Sequence, residues 1–185
     1  MNVYDFDKTI YKNDSTADFF IFCVRKHPKI LRLLPSICVG FTKHYILKTC
    51  TKTEFKNRIM QFVNYIDYEK DIAEFWQKNK KKIKDFYIKQ QKSDDVIISA
   101  SPAFILEPIC KELGISNLIC SEVDVTTGRY TGLNCHGKEK VTRYKEIYGD
   151  AVVDEFYSDS KTDTPMAMLA KKAFLIKGNK ISDWK

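Results

Sequence analysis

The sequence predicts an α/β fold: a parallel β-sheet core with helices on both faces, plus an inserted all-helical cap. Three observations lead there. "NVYDF" at 2–6 reads as a short buried strand that ends at aspartates. From about residue 14 to 91 the apolar residues recur with helical spacing. From residue 95 onward, strand-like apolar runs alternate with helical segments, the order that builds a parallel sheet. The implied division is a core from 1–13 and 92–185 and a helical cap from 14–91.

The cap elements come first. "STADFFIFCVRKH" (15–27) opens on Ser and Thr, as helix starts do, and stops before Pro28. A second apolar helix, interrupted by Pro35, is expected to run to about 48. Thr51 and Glu54 have capping-box spacing at the head of a third, 51–66. A fourth helix is expected over 67–92, with Ile72, Phe75, Trp76, Ile83, Phe86 and Tyr87 on one face. Its lysines (78, 80, 81, 82, 84) mostly take the other, solvated face.

The core elements follow. "DVIIS" (95–99) predicts a buried strand. Ser101 and Pro102 then read as the N-cap and first residue of a helix that Pro108 kinks and Gly114 stops. Residues 117–125 are strand-like, and "TTGRYTG" (126–132) is a hairpin signal. A helix is expected from "KEKVTRYKEIYG" to Gly149, a strand over 151–159, a helix over 163–173, and a last strand and turn over 173–181.

Composition narrows the function classes. The chain's 185 residues fit one domain, or a small domain with an insertion. The 44% apolar and 13% aromatic content can build a substantial core. The strand-like segment begins at residue 2, so no signal peptide is expected. "ILRLLPSICVGF" (30–41) is broken by Arg32 and Pro35 and falls short of the roughly 18 apolar residues of a spanning helix. The six cysteines show no CxxC pair and read as buried small hydrophobes in a reducing, cytoplasmic setting. Cys135 and His136, being adjacent, cannot close a zinc site by themselves. The net charge is +7, but the lysines are spread along the whole chain and no aromatic-interleaved RNA-binding signature appears. They read as a solvated surface, and no nucleic-acid partner is expected.

Polar residues gather at the strand ends, where open α/β sheets bind ligands. Asp5 and Asp7 are two apart, so in extended chain they point the same way. Two carboxylates so close need a cation or a proton between them, and magnesium suits hard oxygen ligands. A turn or N-cap pair is the plainer reading. Asp159 and Asp163 follow the strand at 151–159, and Asp163 could simply cap the next helix. Ser99 precedes a helix start, where free N–H groups bind anions. Lys138 and Lys140 open another helix, an end where the dipole disfavours cations.

"DFDKT", "VIISAS", "GKEKV" and "YSDSKTDTP" together resemble, in order and spacing, the motifs of the haloacid dehalogenase-like hydrolase superfamily. The resemblance is greatest to its phosphoserine-phosphatase-like branch, which carries a helical cap on a Rossmann-like core, and it covers almost the whole chain. It implies that Asp5 is the nucleophile that becomes an aspartyl phosphate. It makes Asp7 the general acid and base. Magnesium (Mg2+) would be held by Asp5, the Asp7 backbone carbonyl and Asp159, with Asp163 a further ligand or supporting partner. Ser99 and Lys140 would bind the phosphoryl oxygens; Lys140 is chosen over Lys138 because a valine follows it. Thr9 would hold the loop after the nucleophile. Lys8 departs from the family, where many members have glycine. The second aspartate favours phosphate esters over haloacids, because an alkoxide leaving group needs a proton and a halide does not.

The expected function is a magnesium-dependent phosphatase acting on a small-molecule phosphate monoester. Two alternatives stand beside it. "FFIFCVRKHPKILRLLPSICVGF" (19–41) resembles the caps of relatives acting on lipid phosphates, such as phosphatidylglycerophosphate phosphatases. That would make the protein a peripheral lipid-phosphate phosphatase, with a membrane surface as a less favoured partner. The other alternative is a non-catalytic binding protein that kept the fold. For a soluble substrate, Arg25, Lys26 and His27 are the polar cap candidates.

Overall fold

β1 (Asn2–Tyr4) has three residues, yet it lies in the middle of a six-stranded sheet. The computed structural model describes residues 1–185. β1 pairs in parallel with β2 (Val96–Pro102) on one side and β6 (Val153–Ser158) on the other. β3 (Asn117–Ser121) extends the sheet beyond β2, and β7 (Ala170–Lys177) beyond β6, all parallel. β8 (Lys180–Asp183) adds an antiparallel edge. The order β3-β2-β1-β6-β7-β8 reverses direction at β1. In such sheets the crevice beyond the carboxyl ends of the strands at that reversal is where ligands bind.

β1 needs no length because it is fully covered. Val3 and Tyr4 are buried. The Tyr4 ring stacks on Tyr157 of β6 at 4.7 Å and meets Tyr87 edge-on at 4.9 Å. Such ring pairs add about 0.5–1.5 kcal/mol beyond area burial.

Between β1 and β2 lie α1 (Ser15–Lys26), α2 (Leu34–Phe41), α3 (Lys52–Met60), α4 (Tyr68–Asn79) and α5 (Asp85–Gln90). Asp14 caps α1, and the Thr51–Glu54 capping box opens α3 as its sequence predicts. The helical region shares one hydrophobic cluster with the sheet: Phe19, Phe75 and Trp76 join Tyr4, Phe6 and Ile97. Trp76 also donates its indole N–H to the Ile105 carbonyl at 2.7 Å.

Three expected elements come out differently. The single helix over 67–92 is divided: α4 ends at Asn79, a 3-10 turn follows, and 83–84 are extended. The break returns the chain to the core. Ile83 bridges Tyr11, and the Lys84 N–H donates to the Ile10 carbonyl at 2.8 Å. Lys84 is therefore buried instead of joining the solvated lysines. The expected second helix to 48 stops as regular α-helix at Phe41 and continues as a π turn over 42–46. The helix expected over 163–173 lasts only from Thr164 to Ala167 (α8), because "AKKAFLIK" pairs with β6 as β7.

The hairpin signal at 126–132 is met by β4 (Val123–Asp124) and β5 (Arg129–Tyr130). Gly128 there has φ +63°, and a Cβ on it would meet the Met60 carbonyl at 2.8 Å. Only glycine fits so close an approach. The hairpin thus docks on α3, where Asn57 Oδ1 also accepts from the Tyr130 N–H at 2.9 Å. α6 (Ala103–Glu112) contains Pro108, and α7 (Lys138–Tyr148) ends at Gly149, as expected. No helix is long and apolar enough to cross a membrane.

Candidate active site

At the carboxyl end of β1 the chain leaves the sheet, and Asp5 is the first residue out. Its N–H still donates to the Tyr157 carbonyl at 2.8 Å, so the backbone there is fixed by β6. Its Oδ1 accepts from the Lys140 ammonium at 2.6 Å. Its Oδ2 has one long contact, from the Thr9 hydroxyl at 3.3 Å. Burial pushes the Asp5 carboxyl up to about 7; Lys140 opposes this and the Asp163 carboxylate adds to it.

Lys140 sits in the first turn of α7, and its side chain is 2% exposed. It spans Asp5 and Asp163, reaching Asp163 Oδ2 at 2.8 Å. Burial alone would lower its pKa, but the two carboxylates outweigh that and hold it above its usual value. Asp163 stands at the N-cap position of α8, but its side chain makes no capping hydrogen bond. Its Oδ2 takes Lys140 and the Ser158 hydroxyl, while its Oδ1 is buried with no hydrogen-bond partner.

Asp7 faces the same cavity but has other partners. Its Oδ1 accepts from the Ser15 N–H at 2.7 Å, and its Oδ2 from the Ser101 hydroxyl. Burial and the nearby Asp14 push it up to about 6. Ser101 is thus no helix cap: β2 runs through to Pro102 and α6 begins at Ala103. Ser99 is buried within β2, and its Oγ accepts from the Ser101 N–H at 3.1 Å. Asp159 follows β6; burial raises its pKa, against the pull of Lys8 and Lys177.

These groups line one cavity of about 520 Å³. Asp5, Asp7, Ser99, Lys140, Asp159 and Asp163 all border it, whereas Lys138, Arg25, Lys26 and His27 do not. Lys26 and His27 instead pair with the buried Asp71 at 2.7 and 2.8 Å. The helical region supplies the roof, with Phe20, Ile37, Lys52, Lys56, Ile59 and Met60.

Sequence reasoning missed Ser15 and Ser101 as partners of Asp7, and Lys56 and His136 as lining residues. For Lys56 there was a signal: it stands four residues after Lys52 and three and four before Ile59 and Met60, which puts all four on one helical stripe.

The oxygens gathered here suit a hard cation. Five carboxylates, those of Asp5, Asp7, Asp14, Asp159 and Asp163, border one cavity, and Asp163 Oδ1 lacks a donor. No three His, Cys, Asp or Glu side chains form a ready cage. Magnesium does not need one, since it keeps waters and takes backbone carbonyls beside one or two carboxylates.

Comparison with known proteins bears on the family and the fold. Protein CicA of Caulobacter vibrioides is 38% identical over 81 residues, 40% of this chain and 36% of that protein. The histidinol-phosphatase of Neisseria meningitidis is 35% identical over 95 residues, 43% of this chain and 41% of that protein. The matched region therefore spans well under half the length of these relatives. Among solved structures, a Bordetella pertussis protein of unknown function superposes with a TM-score of 0.74 at 17% identity, covering 94% of this chain and 87% of that one. A phosphoserine phosphohydrolase-like protein of Francisella tularensis gives a TM-score of 0.59 at 16% identity, covering 94% and 86%. Those two likenesses establish the shared fold. The sequence family of haloacid dehalogenase-like hydrolases matches residues 3–168, and with that span covering most of the core and the whole helical region, the chain belongs to the haloacid dehalogenase-like hydrolase family.

Proposed function

We propose that the protein is a magnesium-dependent phosphatase that hydrolyses a phosphate monoester through an aspartyl phosphate on Asp5. The observation that carries this is the asymmetry of Asp5: Oδ1 is locked by Lys140 while Oδ2 has only the long Thr9 contact. Oδ2 is the oxygen free to attack phosphorus. As that bond forms, the ester P–O bond breaks. Asp7 then gives its proton to the departing alkoxide. In the second step Asp7 takes a proton from water, the water oxygen attacks phosphorus, and phosphate leaves with the Asp5 carboxylate restored. A carboxyl pushed up to about 6 suits this double duty near neutral pH. Lys140 and the Ser99 hydroxyl would stabilise the phosphoryl oxygens, and Thr9 would hold the loop. Asp5, Asp159, the Asp7 carbonyl and Asp163 would hold magnesium, which when bound offsets phosphoryl charge. The similarity to a histidinol-phosphatase of Neisseria and the fold shared with a phosphoserine phosphohydrolase-like protein of Francisella support the reading.

The test is hydrolysis of p-nitrophenyl phosphate with magnesium and with EDTA, alongside Asp5→Asn. Turnover that needs magnesium and vanishes in Asp5→Asn upholds the proposal. Turnover retained in Asp5→Asn overturns it. If no turnover appears, beryllofluoride trapping at Asp5 decides, and its failure also overturns the proposal.

One observation favours a second reading, a lipid-phosphate substrate at a membrane surface. Leu31, Leu34, Val39, Tyr45, Ile46 and Leu47 are all exposed along the α2 region. No Asp or Glu occurs between Asp18 and Glu54, while Lys and Arg recur there. An apolar face flanked by cations is what an anionic bilayer binds. Activity on a phosphate ester presented in anionic liposomes, with sedimentation alongside them, separates this reading from a soluble substrate.

A further inference from the structure

The face that α3 turns to the cavity is divided in two. Lys52 and Lys56 occupy its first turns, Ile59 and Met60 its last. Like charges four apart on one helix face repel, so this pair is a cost unless something anionic comes between them. Neither lysine has a carboxylate partner in the protein. The Lys56 ammonium meets uncharged groups only: Asn134 Oδ1 at 2.6 Å, the Ala100 carbonyl at 3.4 Å and the Tyr130 ring at 5.2 Å. Burial, and Lys52 after it, push Lys56 down to about 8, which still leaves it mostly charged at pH 7. The nearby Asp14 and Asp7 favour the charged lysine from a distance, but neither forms an ion pair with it. Asp14 Oδ1 accepts from the Ala17 N–H, and Asp7 is held by Ser15 and Ser101.

The position of Lys56 gives the cation a direction. Ala100 lies between Ser99 and Ser101, and Ser101 is the residue that holds Asp7. On the phosphatase reading, on which this inference rests, Asp7 marks the leaving-group side. Lys140 lies with Asp5 and Asp163, so the phosphoryl group already has its own buried cation.

We infer that Lys56, supported by Lys52, is the subsite for a second anionic group carried by the leaving alcohol. Phe20, Ile37, Ile59 and Met60 receive that alcohol's carbon skeleton. The substrate class is a phosphate monoester with both an apolar portion and a carboxylate or a further phosphate.

The experiment compares kcat and KM at pH 7 for phenyl phosphate, 4-carboxyphenyl phosphate and 1,4-phenylene bisphosphate. The wild type should prefer one anionic ester by about tenfold or more, chiefly through KM, a difference of about 1.4 kcal/mol. The favoured arm tells carboxylate from phosphate. Lys56→Met should bring the ratio close to one, and Lys56→Arg should keep it above that. A wild-type ratio near one in both arms, or a ratio that survives Lys56→Met, overturns the inference. If no ester is turned over, the phosphatase reading is in question, and calorimetry decides the subsite independently. Phenylphosphonate, 4-carboxyphenylphosphonate and 1,4-phenylenebisphosphonate then take the place of the esters. Tighter binding of an anionic probe, lost in Lys56→Met, upholds the subsite; equal affinities overturn it.

Discussion

The Lys140 ammonium lies 2.6 Å from Asp5 Oδ1, with 2% and 10% of the two side chains exposed. A charge pair this deep is stabilising only while both members are present, because removing one strands the other without water. Here one cation also serves Asp163, so its loss would strand two carboxylates. Lys140→Met is expected to lose activity on p-nitrophenyl phosphate and to lower stability by about 3–5 kcal/mol. Urea unfolding at pH 8 measures the second effect. A loss under about 1 kcal/mol would mean that water or proton uptake replaces the lysine.

The pH dependence of stability should follow the raised Asp5 pKa. Its ordinary value is 3.8 and burial pushes it up to about 7 in the folded protein. The folded state therefore binds this proton more tightly than the unfolded state. Stability from this group falls as pH rises from about 4 to about 7 and is level above that. Asp5→Asn removes the titration. Without added metal, its stability relative to wild type should be greater at pH 8 than at pH 4.5, as read by urea midpoints. The opposite order would mean that the ionised carboxylate is the favoured form in the fold. Magnesium should stabilise the wild type more at pH 8 than at pH 4.5, because it binds the ionised carboxylates.

Lys8 has φ +58°, in the left-handed region that favours glycine. A glycine, which the family resemblance leads one to expect at this position, would adopt that conformation without strain. Lys8→Gly is expected to be between neutral and about 1 kcal/mol more stable, since relief of strain is partly offset by a freer unfolded chain. Lys8→Val, β-branched, should be less stable than wild type. Chemical denaturation of the two variants checks the order, and a clear loss in Lys8→Gly would show that the lysine side chain itself holds the loop.

Much of this was legible in the sequence, for identifiable reasons. β1 and β2 carry the apolar stretches Val3–Tyr4 and Val96–Ile98, and β6 has apolar residues at Val153, Phe156 and Tyr157, so all three strands could be read from the sequence, although β2 runs three residues past the expected Ser99. The Thr51–Glu54 box and Gly149 marked their helix ends through purely local chemistry. What failed was set by distant partners. "AKKAFLIK" has alanines and lysines that favour helix, but β6 offers it a ladder from Val153 to Ser158. Ser101 looked like a cap because Pro102 follows it, whereas the hydroxyl is engaged by Asp7, 94 residues away. Lys84 looked solvated because its neighbours are lysines, and only the return of the chain to Ile10 buries it.

Lys84 is also the strongest candidate for positioning the loop that carries Asp5 and Asp7. Its ammonium donates to the Lys8 carbonyl and, at 2.7 Å, to the Gly178 carbonyl in the β7–β8 turn. It thus ties the residue after Asp7 to the sheet edge, without touching Asp5 or Asp7. Burial lowers its pKa, with Asp159 pulling the other way, so holding a charge there has a cost that the two carbonyls must offset. Hydrogen bonds from a charged donor contribute about 1.5–3 kcal/mol each, less the desolvation of the ammonium. Lys84→Met is therefore expected to lose about 2 kcal/mol of stability and to lower kcat on p-nitrophenyl phosphate with little change in KM. Lys84→Arg should restore stability only partly, because its planar fork is larger than the space an ammonium fills. A purely structural lysine would lower stability and leave kcat of the folded fraction intact, and that result would remove the positioning role.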